Sequence, residues 1–151
     1  MTYPYGCANI TDFQYFIYNV MEVPVAALPT TDPVIQEAFC VAKETVTRWL
    51  IPHSHLYYNL AVYNFGGDYI INWAQDQTCQ TYFADLRKKW NINGFVAGVV
   101  SDTTDESTST SLEVPEAFRN LMVGDLQLLK TPYGRMYLSI AQKLGAVWGL
   151  S

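Results

Sequence analysis

The side chains that could do chemistry are few and scattered. His53-Ser54-His55 holds the only two histidines of the chain. Alternate histidines can share a metal on a strand, but these straddle a predicted helix start beside Pro52. No Cys, His or carboxylate is spaced to complete a site. A polar loop or helix-capping role is the expectation. The three cysteines, Cys7, Cys40 and Cys79, stand far apart without a CxxC pair, which predicts buried, reduced thiols in a cytosolic setting. A thiol nucleophile would need Cys40 or Cys79 exposed in an electropositive setting. Cys40 adjoins Phe39 in an amphipathic pattern, which argues for burial. A small enzyme using His53 or His55 with Cys79 would require those side chains to converge.

The carboxylates Asp102, Asp105, Glu106, Glu113 and Glu116 form an acidic run, with no basic residue between Lys89 and Arg119. They lack the alternate ligand spacing and central glycine of a calcium loop. They read as a solvated tip, or as the counterpart of Arg87, Lys88 and Lys89 on an adjacent copy, since both would be surface features of opposite sign. No catalytic constellation, metal site or cofactor site emerges from these residues.

The elements that would position them centre on His55 to Asp76, HLYYNLAVYNFGGDYIINWAQD. Leu56, Leu60, Tyr63, Gly67, Ile70 and Ala74 recur in steps of four and three, while Val62, Tyr69 and Trp73 populate the opposite side. A helix apolar on nearly all sides is one that other segments wrap. Gly66-Gly67 in its middle costs roughly 1 kcal/mol per glycine against alanine. Close packing of another helix on bare backbone is the first explanation; a kink or a phosphate cradle are the others, and no P-loop Lys or Ser/Thr follows.

Before this helix, Asn9 or Thr11 can cap a helix through about Met21, with Phe13, Phe16, Ile17 and Val20 on one face. Val23-Pro24 closes it, and VPVAALPTTDP reads as extended because of its three prolines. Asp32-Pro33 is a cap followed by proline at the first helical position. The helix it opens runs to about Leu50, with Ile35, Phe39, Ala42, Val46 and Trp49 in one stripe. After the central helix, Thr78 opens a segment in which Phe83, Leu86 and Trp90 face inward. Arg87, Lys88 and Lys89 fall in its last turn, where cations complement the helix dipole, and Asn93-Gly94 ends it.

From Phe95 to Val114 the pattern alternates around DTTDE, which predicts a β-hairpin or a long paired arm, with a solvated Ser/Thr-rich loop as the alternative. A short turn or helix follows at Pro115, and another at Gly124-Asp125. Thr131-Pro132 repeats the cap-then-proline start and gives a helix to about Leu144, with Tyr133, Tyr137, Ile140 and Leu144 in register. The tail AVWGLS carries Trp148 and Leu150, and a Trp-bearing end suits an anchor in a groove.

The predicted fold is therefore mainly α: a small helical bundle around a central apolar helix, with a β-hairpin or extended arm inserted before the C-terminal helix. Its 151 residues make one domain by the usual prior. Within it we distinguish an N-terminal arm (1–10), a helical core (11–91), the hairpin arm (95–114), C-terminal helices (115–144) and the tail (145–151). Half the residues are apolar, and eleven Tyr and four Trp exceed what a core needs. Such residues join large area to a polar handle and favour interfaces. The net charge is −5, and no Lys or Arg precedes Lys43. That sign opposes tight nucleic-acid or anionic-membrane binding, though not passage of DNA through an acidic lumen. Without a signal-like N-terminus or a run of about 18 apolar residues, neither export nor membrane insertion is expected.

Taken in order, the long Asp-Pro-initiated helix, LAVYNFGGDYIINWA, YFADLRKKW, GVVSDTTDESTSTSLEVP and LKTPYGRMYL resemble the tailed-phage head–tail adaptors, also called connector or head-completion proteins. The resemblance covers about Thr11 to Tyr137, and GVVS with DESTSTSL, and TPYGRMY, are its most specific parts. It implies a mainly helical, non-enzymatic virion protein of the neck, without cofactor, assembled in the host cytoplasm. Such proteins form a ring of about twelve copies under the portal protein and extend the DNA channel. They offer a surface to the next neck or tail protein. Docking on portal or a neighbour would involve Tyr133, Arg135, Tyr137, Trp148 and Leu150. The hairpin arm would contact neighbours through Val99, Val100, Asp102, Asp105, Glu106, Leu112 and Val114. Arg87, Lys88 and Lys89 are the inter-subunit charge candidates. The alternative is a helical protein-interaction or regulatory module that forms no ring.

Overall fold

The computed structural model describes residues 7–94, 104–105, 108–109 and 123–144, and the protein is mainly helical, as its periodicity predicts. Helix α1 (Ile10–Tyr15) is capped by Asn9, whose side chain accepts from the Asp12 amide at 2.9 Å and donates to the Asp12 carboxylate at 2.7 Å. The chain then widens into a single π-helical segment, Phe16–Val20. The shift keeps Phe13, Phe16 and Ile17 all in the core. Glu22, at φ 56°, ends the segment. The following VPVAALPTTDP, expected to be extended, instead turns on itself. The Pro24 carbonyl accepts from Ala27 and Leu28 at 2.9 and 3.0 Å, so Val23, Ala27 and Leu28 can all be buried.

Helix α2 (Pro33–Thr45) starts as predicted, with the Asp32 carboxylate accepting from the Val34 amide at 3.0 Å and Pro33 in the first turn. It stops five residues earlier than expected. Val46 is extended at ψ 122°, and Thr47 caps a separate 3₁₀ turn, Arg48–Leu50. That break turns Trp49, placed by the periodicity on the inner stripe, out to solvent at 70% exposure. Ser54 then caps α3 (His55–Trp73) by accepting from the Tyr57 amide.

Helix α3 is the axis of the bundle. It packs against α1, α2, the 3₁₀ turn, α4 (Tyr82–Lys89) and the C-terminal helix α6 (Pro132–Lys143). Its buried set runs nearly all round, from Tyr58 to Ile71, although Leu56 at its entry and Trp73 at its exit are exposed. The glycine pair answers to close packing. A Cβ on Gly66 would stand 2.7 Å from the Phe13 ring, and one on Gly67 would stand 2.9 Å from the Met21 sulfur. Phe13 has no room to retreat, because it is stacked between Phe39 and Tyr63 at centroid distances of 5.6 and 6.0 Å.

Two devices hold α4. The Asp76 carboxylate accepts from the Phe83 and Ala84 amides at 2.7 and 2.9 Å and so caps the helix from outside, which moves its start from Thr78 to Tyr82. Arg87 reaches back to the last turn of α3, donating to the carbonyls of Ile71, at 2.7 Å, and Ala74. Asn91, in the left-handed region at φ 49°, ends α4 before the expected Asn93-Gly94 stop.

Of the predicted hairpin, the described residues are Thr104–Asp105 (β1) and Thr108–Ser109 (β2). They pair antiparallel in the register Thr104↔Ser109, Asp105↔Thr108. The rest of the arm lies outside the described residues. Helix α5 (Val123–Leu128) leads into α6. Among the described residues no helix is long and apolar enough to cross a membrane.

Candidate functional site

The cap of α6 is also the floor of a site. Thr131 accepts from the Gly134 amide at 2.9 Å, as the cap-then-proline signal requires, and its hydroxyl donates to the carboxylate of Asp68 in the middle of α3. On the same helix, Asn72 donates to the Asp68 carbonyl at 2.8 Å and to its carboxylate at 3.1 Å. Thr131 is fully buried and Asp68 is 6% exposed. A buried carboxylate ordinarily finds a cation. Asp68 has hydroxyl and amide donors instead, and burial pushes its pKa up to about 6 against the partial pull of those bonds.

Asp68 opens onto a cleft of about 390 Å³ between α3 and the α5–α6 unit. Phe65, Tyr69 and Trp73, four residues apart, form one wall, with Tyr137 and Leu128 opposite. The Phe65 and Tyr137 rings meet edge to face at 5.0 Å, and Tyr69 leans on Trp73 at 6.2 Å. Trp73 is 64% exposed. Tyr69 donates to Glu37 of α2 at 2.6 Å, a bond that raises the phenol's pKa. Gln127 reaches Asn72 at 3.3 Å across the end of the cleft. Asp68 is the only charged residue among the described lining residues, so the site is an aromatic trough with a carboxylate at its base and a second one beside it. Such a trough attracts a cation with an apolar stem, an ammonium or guanidinium side chain.

The residues singled out by sequence are distributed differently. Tyr137 is buried and helps wall the cleft, whereas Tyr133 is half-buried with its ring edge-on to Phe16 at 6.0 Å. Both serve internal packing. Arg135 is exposed. Arg87 is committed to the α3 carbonyls, while Lys88 and Lys89 project into solvent. Trp148, Leu150, Val99, Val100, Asp102, Glu106, Leu112 and Val114 lie outside the described residues, and Asp105 belongs to β1.

All three cysteines are exposed, against the expectation of burial. Cys40, one residue beyond Phe39, is turned about 100° onto the outer face of α2, where Gln36 contacts its sulfur at 3.3 Å. Cys79 does not converge with the histidines. His55 begins α3, Cys79 lies six residues beyond its end, and the axis between spans about 27 Å. Gln77 is held to Asp32 at the start of α2, which keeps that segment at the far end. No group of three or more His, Cys, Asp or Glu among the described residues could hold a metal. Sequence reading missed Asp68. Its one local signal was that it is the only carboxylate in α3. Comparison with known families, characterised proteins and solved structures returns no match.

Proposed function

We propose that the chain is a structural adaptor of the tailed-phage neck, a ring of about twelve copies joining portal to the tail-side components and extending the DNA channel. The observation that supports it best is a pair of exposed tryptophans flanking the two ends of α3. Trp49 stands at the turn between α2 and α3, and Trp73 at the exit of α3. About 27 Å of helix separates these ends. Leu56 and Tyr57 are exposed close to Trp49 in the chain, and Tyr69 packs beside Trp73. Large apolar groups held in water at two remote places suit a protein that bridges partners. An acidic chain also suits a channel wall that lets DNA slide without holding it.

The test is native mass spectrometry of the chain alone and mixed with its portal protein. The expected result is a complex of fixed ring stoichiometry with portal. A chain that ignores portal and stays monomeric or dimeric overturns the proposal and favours a helical interaction module that forms no ring.

A further inference from the structure

We infer that the aromatic cleft is the receiving half of a contact between copies of this chain, and that the side chains it receives are Lys88 and Lys89 of the neighbour. The inference deepens the ring reading and rests on it for its setting, but the pairing itself is measurable without portal.

Charge selects the occupant. The cleft presents Asp68 at its base and Glu37 beside Tyr69, with no described cation against either. Half of the eight described Lys and Arg side chains are already engaged. Arg48 pairs with Glu44 at 3.5 Å. Lys43 lies over the Phe39 ring at 5.4 Å. Arg87 holds the end of α3, and Lys130 donates to the carbonyls of Ile92 and Gly94 at 2.6 and 2.9 Å. Arg135 and Lys143 are exposed, but they belong to α6, the helix that walls the cleft itself. The last turn of α4 therefore offers two adjacent exposed lysines to two carboxylates.

Geometry selects the mode of pairing. At 100° per residue, Phe65, Asp68, Tyr69, Asn72 and Trp73 cluster on one side of α3. Ile71 and Ala74, whose carbonyls Arg87 grips, lie roughly 160° around the helix. Donor and acceptor thus sit on opposite sides of one subunit. A contact between them is head-to-tail, and repetition closes a ring or grows a filament, unlike a two-fold pair, which stops at a dimer. A lysine stem laid on Trp73 would bring its ammonium to Tyr69, Glu37 and Asp68, joining cation–π attraction to a partly desolvated ion pair.

The experiment is sedimentation equilibrium of the full-length chain over a wide concentration range, with two variants. K88A/K89A removes the donor, and W73K places a cation in the acceptor. All three positions are exposed, and circular dichroism checks that the variants keep their helices. Wild type should associate without stopping at a dimer. Each variant alone should associate at least roughly thirtyfold more weakly. Mixed one to one, the variants should form heterodimers and nothing larger, because one intact contact remains per pair. Wild type that stays monomeric at the highest concentration, a variant that associates like wild type, or a mixture that stays monomeric or grows beyond dimers each overturns the inference. A chain that pairs in this way yet ignores portal removes the adaptor reading and keeps the contact. One that joins portal with both variants unimpaired does the reverse.

Discussion

The Thr131 hydroxyl accepts from the Gly134 amide and donates to the carboxylate of Asp68, so the group that starts α6 also fastens it to the middle of α3. Gly134 belongs to the same arrangement. A Cβ there would meet the Leu128 carbonyl and stand 2.8 Å from the Asp68 oxygen. A local capping signal and a contact across 63 residues of sequence thus share one oxygen atom.

That arrangement predicts a pH dependence of stability. Burial raises the Asp68 pKa from 3.8 to about 6, so the native state holds this proton more tightly than the unfolded chain does. The resulting stability is fully present below about 3.8 and is lost as pH rises through about 6. The loss should be about 2 kcal/mol between pH 4 and 7. The other titratable groups lining the cleft with Asp68 are Tyr69 and Tyr137, and Tyr69 in turn bonds Glu37. Urea unfolding of wild type and Asp68→Asn across this range checks it. The decline should flatten in the variant, and an unchanged slope would assign it to other groups.

The glycine pair should respond unequally to alanine. Alanine gains roughly 1 kcal/mol of helix propensity at either site. At Gly66 the added methyl meets Phe13, which is fully buried and stacked on two rings. Overpacking of this kind costs about 1–3 kcal/mol. At Gly67 the nearest atom is the Met21 sulfur, near the end of a flexible side chain that can move. Gly66→Ala should therefore destabilise while Gly67→Ala stays close to neutral, and the two urea midpoints decide it.

These two glycines and the Asp-Pro and Thr-Pro starts mark what was legible in the sequence. Each is a local requirement written in adjacent residues: a donor to cap, a fixed φ, a missing Cβ. The end of α2 was not legible. Val46 continues the apolar stripe perfectly well, yet it turns extended so that Thr47 can cap a new turn. Periodicity records which face is apolar and is silent about where the axis breaks, so Trp49 was placed inside. Arg87 was misleading for a related reason. A cation in the last turn of a helix suits that helix's own dipole, and nothing nearby in sequence says that its donors serve the end of α3 instead. Asp68 depends on a partner in a distant helix, and the cleft exists only once α5 and α6 fold back.

Asp76 and Arg87 together make α4 a locally testable unit. Asp76→Ala leaves the Phe83 and Ala84 amides without their acceptor, at a cost of about 1 kcal/mol. Arg87→Lys keeps the charge but cannot reproduce a guanidinium shared between two carbonyls. Either substitution should speed amide hydrogen exchange in Tyr82–Lys89 and leave α2 protected. Equal acceleration throughout the chain would show that α4 does not open independently.

The two exposed tryptophans provide a reading of which end is covered. Trp49 and Trp73 are 70% and 64% exposed, so both should be quenched readily by acrylamide in the monomer. If Lys88 and Lys89 enter the neighbour's cleft, association shields Trp73 and leaves Trp49, at the other end of α3, open to the quencher. Single variants Trp49→Phe and Trp73→Phe separate the two signals from the remaining indoles. The protection of Trp73 should also fade as pH falls through about 6, where protonation removes the Asp68 charge. Acid thus acts in opposite directions on one carboxylate: it strengthens the fold of the single chain by neutralising a buried charge and weakens the contact that uses that charge. Quenching and unfolding measured on the same sample at pH 5 and pH 7 would separate the two effects. Association that persists unchanged at pH 5 would show that Glu37 alone carries the attraction.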